Sequence, residues 1–228
     1  MEIKEQLKKA LEELRKEKER KFDQTLDLIV NLQKFDVKKN QLNFLITLPH
    51  KIKDKKIAGF LEVKNPNIDT ITPEEFKKYS DKKKLKNLVD SYDFFIASAV
   101  LMPKIATTFG RFLGPAGKMP SPQMGILANA NEKEISEIKN KINNVLKIKI
   151  KEASIKVPAG KQSMEDKELI ENIMTIYNAL LKEFPKNKEN IKNIEIKFTM
   201  TKPQKLKIRW ALKKKKISIK NQIQEILK

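Results

Sequence analysis

The sequence predicts a two-domain α/β protein: a discontinuous α+β domain built from both termini, residues 1–55 and 154–228, and a three-layer α/β domain, residues 56–153, inserted in it. Three observations predict it. Near both ends of the chain apolar residues recur at every second position, as in strands with one buried face. In the middle they form unbroken runs separated by helical patterns, as in parallel strands covered on both faces. Neither terminal part alone has enough strands and helices to close a core, so the two are read as one domain.

The elements follow in order. Ile3, Leu7, Leu11 and Leu14 stand at helical spacing among alternating Glu and Lys, which predicts an amphipathic helix over 2–20. Leu26, Leu28, Val30 and Leu32, then Leu42, Phe44, Ile46 and Leu48, alternate with polar residues across the turn 36–40 and predict an antiparallel pair ending at Pro49-His50. Ile57 to Val63 and Phe94 to Leu101 are the unbroken runs. Between them Pro73-Glu74-Glu75 opens one predicted helix, and Leu85, Leu88 and Val89 mark another. Pro103 suits the first turn of a further helix. Asn131 is positioned to cap a helix presenting Ile135, Ile138, Ile142 and Val145. Period two returns at Leu146, Ile148, Ile150 and at Ile155, Val157. A helix over 166–184 offers Ile170, Ile173, Met174, Tyr177, Leu180 and Leu181, and two strands carry Ile194, Ile196, Phe198, Met200 and Leu206, Ile208, Trp210.

Chemistry is narrowed by composition. The 228 residues include 49 Lys and Arg against 29 Asp and Glu, a net charge of +20, which suits a protein that sits on a polyanion. Cysteine is absent, so thiolate chemistry and disulfides are excluded. The charged N-terminus and the lack of a membrane-length apolar run predict an intracellular soluble protein. Ten basic residues and one acid in 201–228, with Asn43, Thr47, Lys197, Lys205, Lys207 and Arg209 on predicted outward strand positions, point to phosphate binding. Trp210 falls in the apolar register and reads as core. His50 has no second histidine or cysteine to complete a metal site and reads as a structural hydrogen-bonding group. Gly117-Lys118 lacks the rest of a phosphate loop, with Phe112 where its first Gly belongs and Met119 in place of Ser or Thr. No nucleophile has an adjacent base, so no catalytic residue, cofactor or metal site is expected.

The most unusual stretch runs from Phe109 to Gly125. It holds four of the six glycines and three of the ten prolines, and reads as a rigid loop presenting Arg111 and Lys118 to a partner.

Lys21-Phe22-Asp23-Gln24-Thr25, Leu48-Pro49-His50, Gly110-Arg111-Phe112-Leu113-Gly114-Pro115 with Gly117-Lys118-Met119-Pro120, Pro158-Ala159-Gly160-Lys161 and Thr199-Met200 occur in this order. Together they closely resemble the L-one family of large-subunit ribosomal proteins, over residues 1 to about 209, and Lys118 followed by Met-Pro looks more archaeal than bacterial. The resemblance implies a Rossmann-like fold for the inserted domain, a two-strand hinge and an RNA-binding first domain. It also implies a monomeric place in the ribosomal stalk beside the tRNA exit site, in the cytoplasm. Three partners are implied: large-subunit ribosomal RNA, exit-site tRNA whose release it helps, and the protein's own messenger, whose translation it represses. The RNA-binding residues carried over are Lys21, Phe22, Asp23, Thr25, Lys161, Asn193, Thr199, Met200 and Thr201. Arg111, Gly114, Gly117 and Lys118 are carried as a tRNA or interdomain contact. Thr201 departs from the family, which has Gly there; a backbone needing φ > 0 would be strained by Thr, which predicts a rebuilt loop or shifted register. The alternatives are a non-specific basic nucleic-acid-binding protein and a nucleotide-dependent enzyme.

Overall fold

Leu26, Leu28, Val30 and Leu32 are buried and their neighbours are not, so the period of two seen in the sequence becomes a strand, β1 (Thr25–Leu32), with one face on a core. The computed structural model describes residues 2–17, 20–37, 42–79, 81–122, 124–127 and 132–206. The chain divides into two compact units, one from residues up to Ile52 and from Val145 onward, the other Lys53–Asn144. The second starts three residues before the expected 56–153 and ends nine before it, because the strand that begins at Val145 pairs with residues 43–47 of the first unit.

In the first unit β1 is central. It pairs antiparallel with β8 (Ser154–Lys161) on one side and β9 (Ile191–Phe198) on the other, and β9 pairs with β10 (Gln204–Lys205). The expected pairing of the first two strands does not occur. Instead β2 (Asn43–Thr47) pairs with β7 (Val145–Lys149) in a separate ribbon, with Thr47 opposite Val145. Asn43 and Thr47 therefore lie in a different sheet from Lys197 and Lys205. Two helices, α1 (Glu2–Arg15) and α5 (Asp166–Glu183), bury Leu7, Leu11, Leu14, Leu169, Ile173, Ile176 and Leu180 in one core with the inward strand residues. Along α5 the buried face includes Leu169 and Ile176, and Ile170, Met174 and Leu181 are only partly covered; the helix is turned from the face its spacing suggested. Beyond Leu206 the chain, with Lys207, Ile208, Arg209 and Trp210, lies outside the described residues, as does Asn131.

The second unit is a parallel sheet in the order β4 (Asp69–Ile71), β3 (Ile57–Phe60), β5 (Phe94–Ser98), β6 (Ile126–Leu127). Helices α2 (Lys82–Ser91) and α3 (Met102–Ala116) share a core with Phe60 and Phe95 on one face of it, and α4 (Glu132–Asn144) shares another with Leu61 and Ile96 on the other. Phe60, Phe76, Phe95 and Phe109 form the centre of the larger core, with Phe109 at 4.9 Å from Phe60 and 5.0 Å from Phe76 between ring centroids. Each such pair adds roughly 0.5–1.5 kcal/mol to its area burial. The residues after Pro73 form a single 3-10 turn, Glu75–Tyr79, rather than a helix.

The Gly/Pro stretch is mostly not a loop. Gly110, Arg111, Gly114 and Pro115 belong to α3, which the fully buried Ile105, Phe109 and Leu113 hold in place against their poor helix propensity. Only at Gly117, with φ of 69°, does the chain leave the helix, where its N–H donates to the Gly114 carbonyl at 2.9 Å and that of Lys118 to Leu113 at 3.0 Å.

Candidate nucleic-acid interface

Three segments meet at one end of the four-stranded sheet: 21–25 entering β1, 161–164 leaving β8, and 199–201 leaving β9. Gln24, only 2% exposed, joins them. Its Oε1 accepts the Met200 N–H at 3.1 Å, its Nε2 donates to Gln162 Oε1 at 3.1 Å, and its backbone carbonyl accepts the Gln162 N–H at 2.8 Å. Thr199 closes the other side, its Oγ1 accepting the Thr25 N–H at 3.1 Å and donating to the Thr25 carbonyl at 3.3 Å. Buried polar atoms so satisfied make rigid backbone.

On that backbone Phe22 is 52% and Met200 57% exposed. The apolar register of β9 ends at Phe198, so Met200 is not core. Thr201 accepts the Phe198 N–H on Oγ1 at 2.9 Å, and its own N–H donates to the Phe198 carbonyl at 3.1 Å, closing the turn. Thr201 is not among the positive-φ residues, so the strain expected of a residue replacing glycine does not arise.

Asp23 fixes the third segment. Its carboxylate accepts the Ser163 N–H at 3.1 Å and the Ser163 hydroxyl at 3.0 Å, and its carbonyl accepts the Lys161 ammonium at 3.4 Å. Arg15 reaches across from α1 to Asp166 at 2.8 Å and to the carbonyls of Gln162 and Met164 at 3.0 and 2.9 Å. Arg15, Arg20, Lys21, Phe22, Asp23, Gln162 and Ser163 line an open depression whose walls include three basic side chains and one aromatic ring. Gly160 lets α5 approach, since a Cβ there would meet the Leu169 side chain.

Lys21, Phe22, Asp23, Thr25, Lys161, Thr199, Met200 and Thr201 are thus brought together. Asn193 is not: it lies six residues back along β9, about 20 Å away at strand rise, where its amide donates to Glu195 Oε1 at 2.9 Å beside Lys205. Arg15, Gln162 and Ser163 carry no sequence signal, and Gln24, though it stands in the motif 21–25, gives no sign there of the role it takes, because single polar residues in turns make no pattern. Asp27, opposite Lys197 on the outward sheet face, has its pKa raised by burial, against the pull of the lysine.

Lys118 and Arg111 part company. The Lys118 ammonium donates to the carbonyls of Val89 and Tyr92 at 2.6 and 2.8 Å, satisfying the end of α2, so this side chain is committed inside its own unit. Arg111 and Gly114 are exposed along α3, and Gly117 is half-buried. His50 takes the structural role expected of it, with Nε2 2.7 Å from Glu171 Oε2 and its backbone N–H donating to Asn172 Oδ1 at 3.1 Å. No group of His, Cys, Asp and Glu among the described residues could hold a metal ion, and none of the described helices is long and apolar enough to cross a membrane.

Fold and composition define a basic protein of the mixed α/β class. The comparisons with known proteins narrow the class. Residues 14–202 match the Ribosomal protein L1p/L10e family, and the chain belongs to that family. It is 35% identical over 205 residues to the large ribosomal subunit protein uL1 of Nanoarchaeum equitans, covering 86% of this chain and 94% of the relative. It is 34% identical over 212 residues to that of Pyrobaculum calidifontis (88% and 92%), and 34% over 210 to that of Archaeoglobus fulgidus (86% and 95%). Proteins of this family are structural components, not enzymes.

Proposed function

We propose that the chain is a component of the large ribosomal subunit, working in the cytoplasm, that binds ribosomal RNA of the stalk through the sheet end carrying Phe22 and Met200. One observation carries the reading: two large apolar side chains stay half exposed on a backbone locked by Gln24 and Thr199, beside Arg20 and Lys21. An unpaired base or a ribose needs such a surface, with apolar area for close packing and cations for the phosphates on either side. The same surface binds a similar fold in the protein's own messenger and so represses its translation. Exit-site tRNA is met by the inserted domain, with Arg111 and Gly114 on the exposed side of α3 as the contact, and the paired strands flanking the two chain crossings act as the hinge.

The test is binding of Phe22→Ala and Met200→Ala to the stalk RNA and to unrelated RNA. Each variant is expected to lose about 1–3 kcal/mol on the stalk RNA alone, with an unchanged melting temperature and salt slope. Equal losses on both RNAs would favour a non-specific nucleic-acid coat, which the net charge alone would support.

A further inference from the structure

Charge is unevenly spread over the second unit. Between Lys77 and Lys86 stand six lysines, Lys77, Lys78, Lys82, Lys83, Lys84 and Lys86, and one acid, Asp81. All six lysines are exposed, while Leu85 among them and Phe76 just before them are buried in the core beneath.

Stability does not account for this arrangement. Four of the lysines fall in the first five positions of α2, which has no acid in its first turn. Backbone N–H groups and the positive end of the helix dipole already gather there, so ammonium groups raise the energy of the free fold. Asp81 is engaged as the N-cap, accepting the Lys83 N–H at 3.1 Å. Glu75 is bridged by Lys64 at 3.3 Å and Lys78 at 3.7 Å. Among the described residues no carboxylate pairs with Lys82, Lys83, Lys84 or Lys86.

Resting on the ribosomal reading above, we infer that this face of α2 is a second RNA contact, which holds the sugar–phosphate backbone without reading sequence. The composition of the face decides for RNA over an acidic protein. Lysine is depleted in protein–protein interfaces, which are built around aromatic and aliphatic anchors. Here the nearby aromatics are turned inward, Phe76 onto Phe109 at 5.0 Å and Tyr79 onto Phe109 at 6.2 Å between centroids. What remains outside is a set of point charges on flexible stems, suited to phosphates at irregular spacing. With Phe76 buried and Tyr79 packed onto Phe109, the contact rests on charge and is indifferent to sequence.

The test uses the full chain with Lys82, Lys83, Lys84 and Lys86 all changed to Gln, against a control in which the dispersed exposed lysines Lys4, Lys8, Lys167 and Lys182 are changed to Gln. Both lose the same charge. Affinity for a long unrelated duplex RNA is followed across a salt series. The α2 variant is expected to bind about tenfold more weakly, with a salt slope lower by about two, and the control to change less than half as much. Its melting temperature should hold or rise, because the repulsion at the helix start is relieved, and the corresponding Lys→Arg variant should bind as the parent does. Equal slopes for the α2 variant and the control would overturn the inference. So would an unchanged RNA slope together with lost binding to polyglutamate, which would assign the face to an acidic protein. Failure of the unaltered chain to prefer stalk RNA would instead strike the reading on which the inference rests.

Discussion

An alanine at position 160 would drive its Cβ into Leu169 Cδ2 and to 3.0 Å from Met164 Sδ, whereas at position 114 it would meet nothing within 4 Å. The two glycines therefore do opposite things. Gly160 permits close packing of β8 on α5, and because Leu169 is fully buried it has nowhere to move. Gly160→Ala is expected to cost about 1–3 kcal/mol through overpacking. Gly114 sits in a helix that gains nothing from its freedom, so Gly114→Ala should add about 0.5–1 kcal/mol; denaturant melts of the two variants check both signs. Phe22 was legible as a surface residue from the family motif, but Gln24 was not, since its importance comes from three turns that only folding brings together.

At the scale of the element, what could be read depended on length and on locality. The eight-residue strands β1 and β9 showed their period plainly, whereas β4 and β6, three and two residues long, gave none. Periodicity also says nothing about which strand pairs with which. β1 is taken between β8 and β9, and β2 pairs with β7. The far part of α3 reads as a loop in the sequence because local propensity at Gly110, Gly114 and Pro115 favours one, and burial of Phe109 and Leu113, a tertiary effect, outweighs it. Before β5, Asp93 offers a test of electrostatics. Partial burial works to raise its pKa, but hydrogen bonds from the Lys53 ammonium, at 3.1 and 3.2 Å, and the Lys56 N–H, at 3.3 Å, outweigh it and hold the carboxyl below its ordinary value. A carboxyl lowered in the fold stabilises it above the unfolded-state pKa, and that stability is lost as pH falls through the folded one. The melting temperature should thus fall as pH drops below about 4, and less so in Asp93→Asn, as thermal melts over an acid series would record.

On the scale of the whole molecule, unbroken apolar runs and alternating ones point to different sheets, and the chain divides into two compact units. The chain enters β7 opposite the end of β2, Val145 pairing with Thr47, so the two crossings start from adjacent backbone. Removing 53–144 and joining Ile52 to Val145 by a short Gly linker should leave a fragment with the native circular dichroism of its strands and helices, still able to bind the stalk RNA. An unfolded fragment would contradict the independence of the first unit. On the proposed function, the Phe22 and Met200 end of the first sheet binds one site in the stalk RNA. Ultraviolet crosslinking of the full chain in cell extract, with sequencing of the attached RNA and identification of the attached peptides, tests it most directly. The account predicts reads concentrated on the stalk segment of large-subunit ribosomal RNA, with the crosslinks at residues 20–25 and 199–201. Reads spread evenly over unrelated RNAs, or stalk reads attached only elsewhere on the chain, would contradict it.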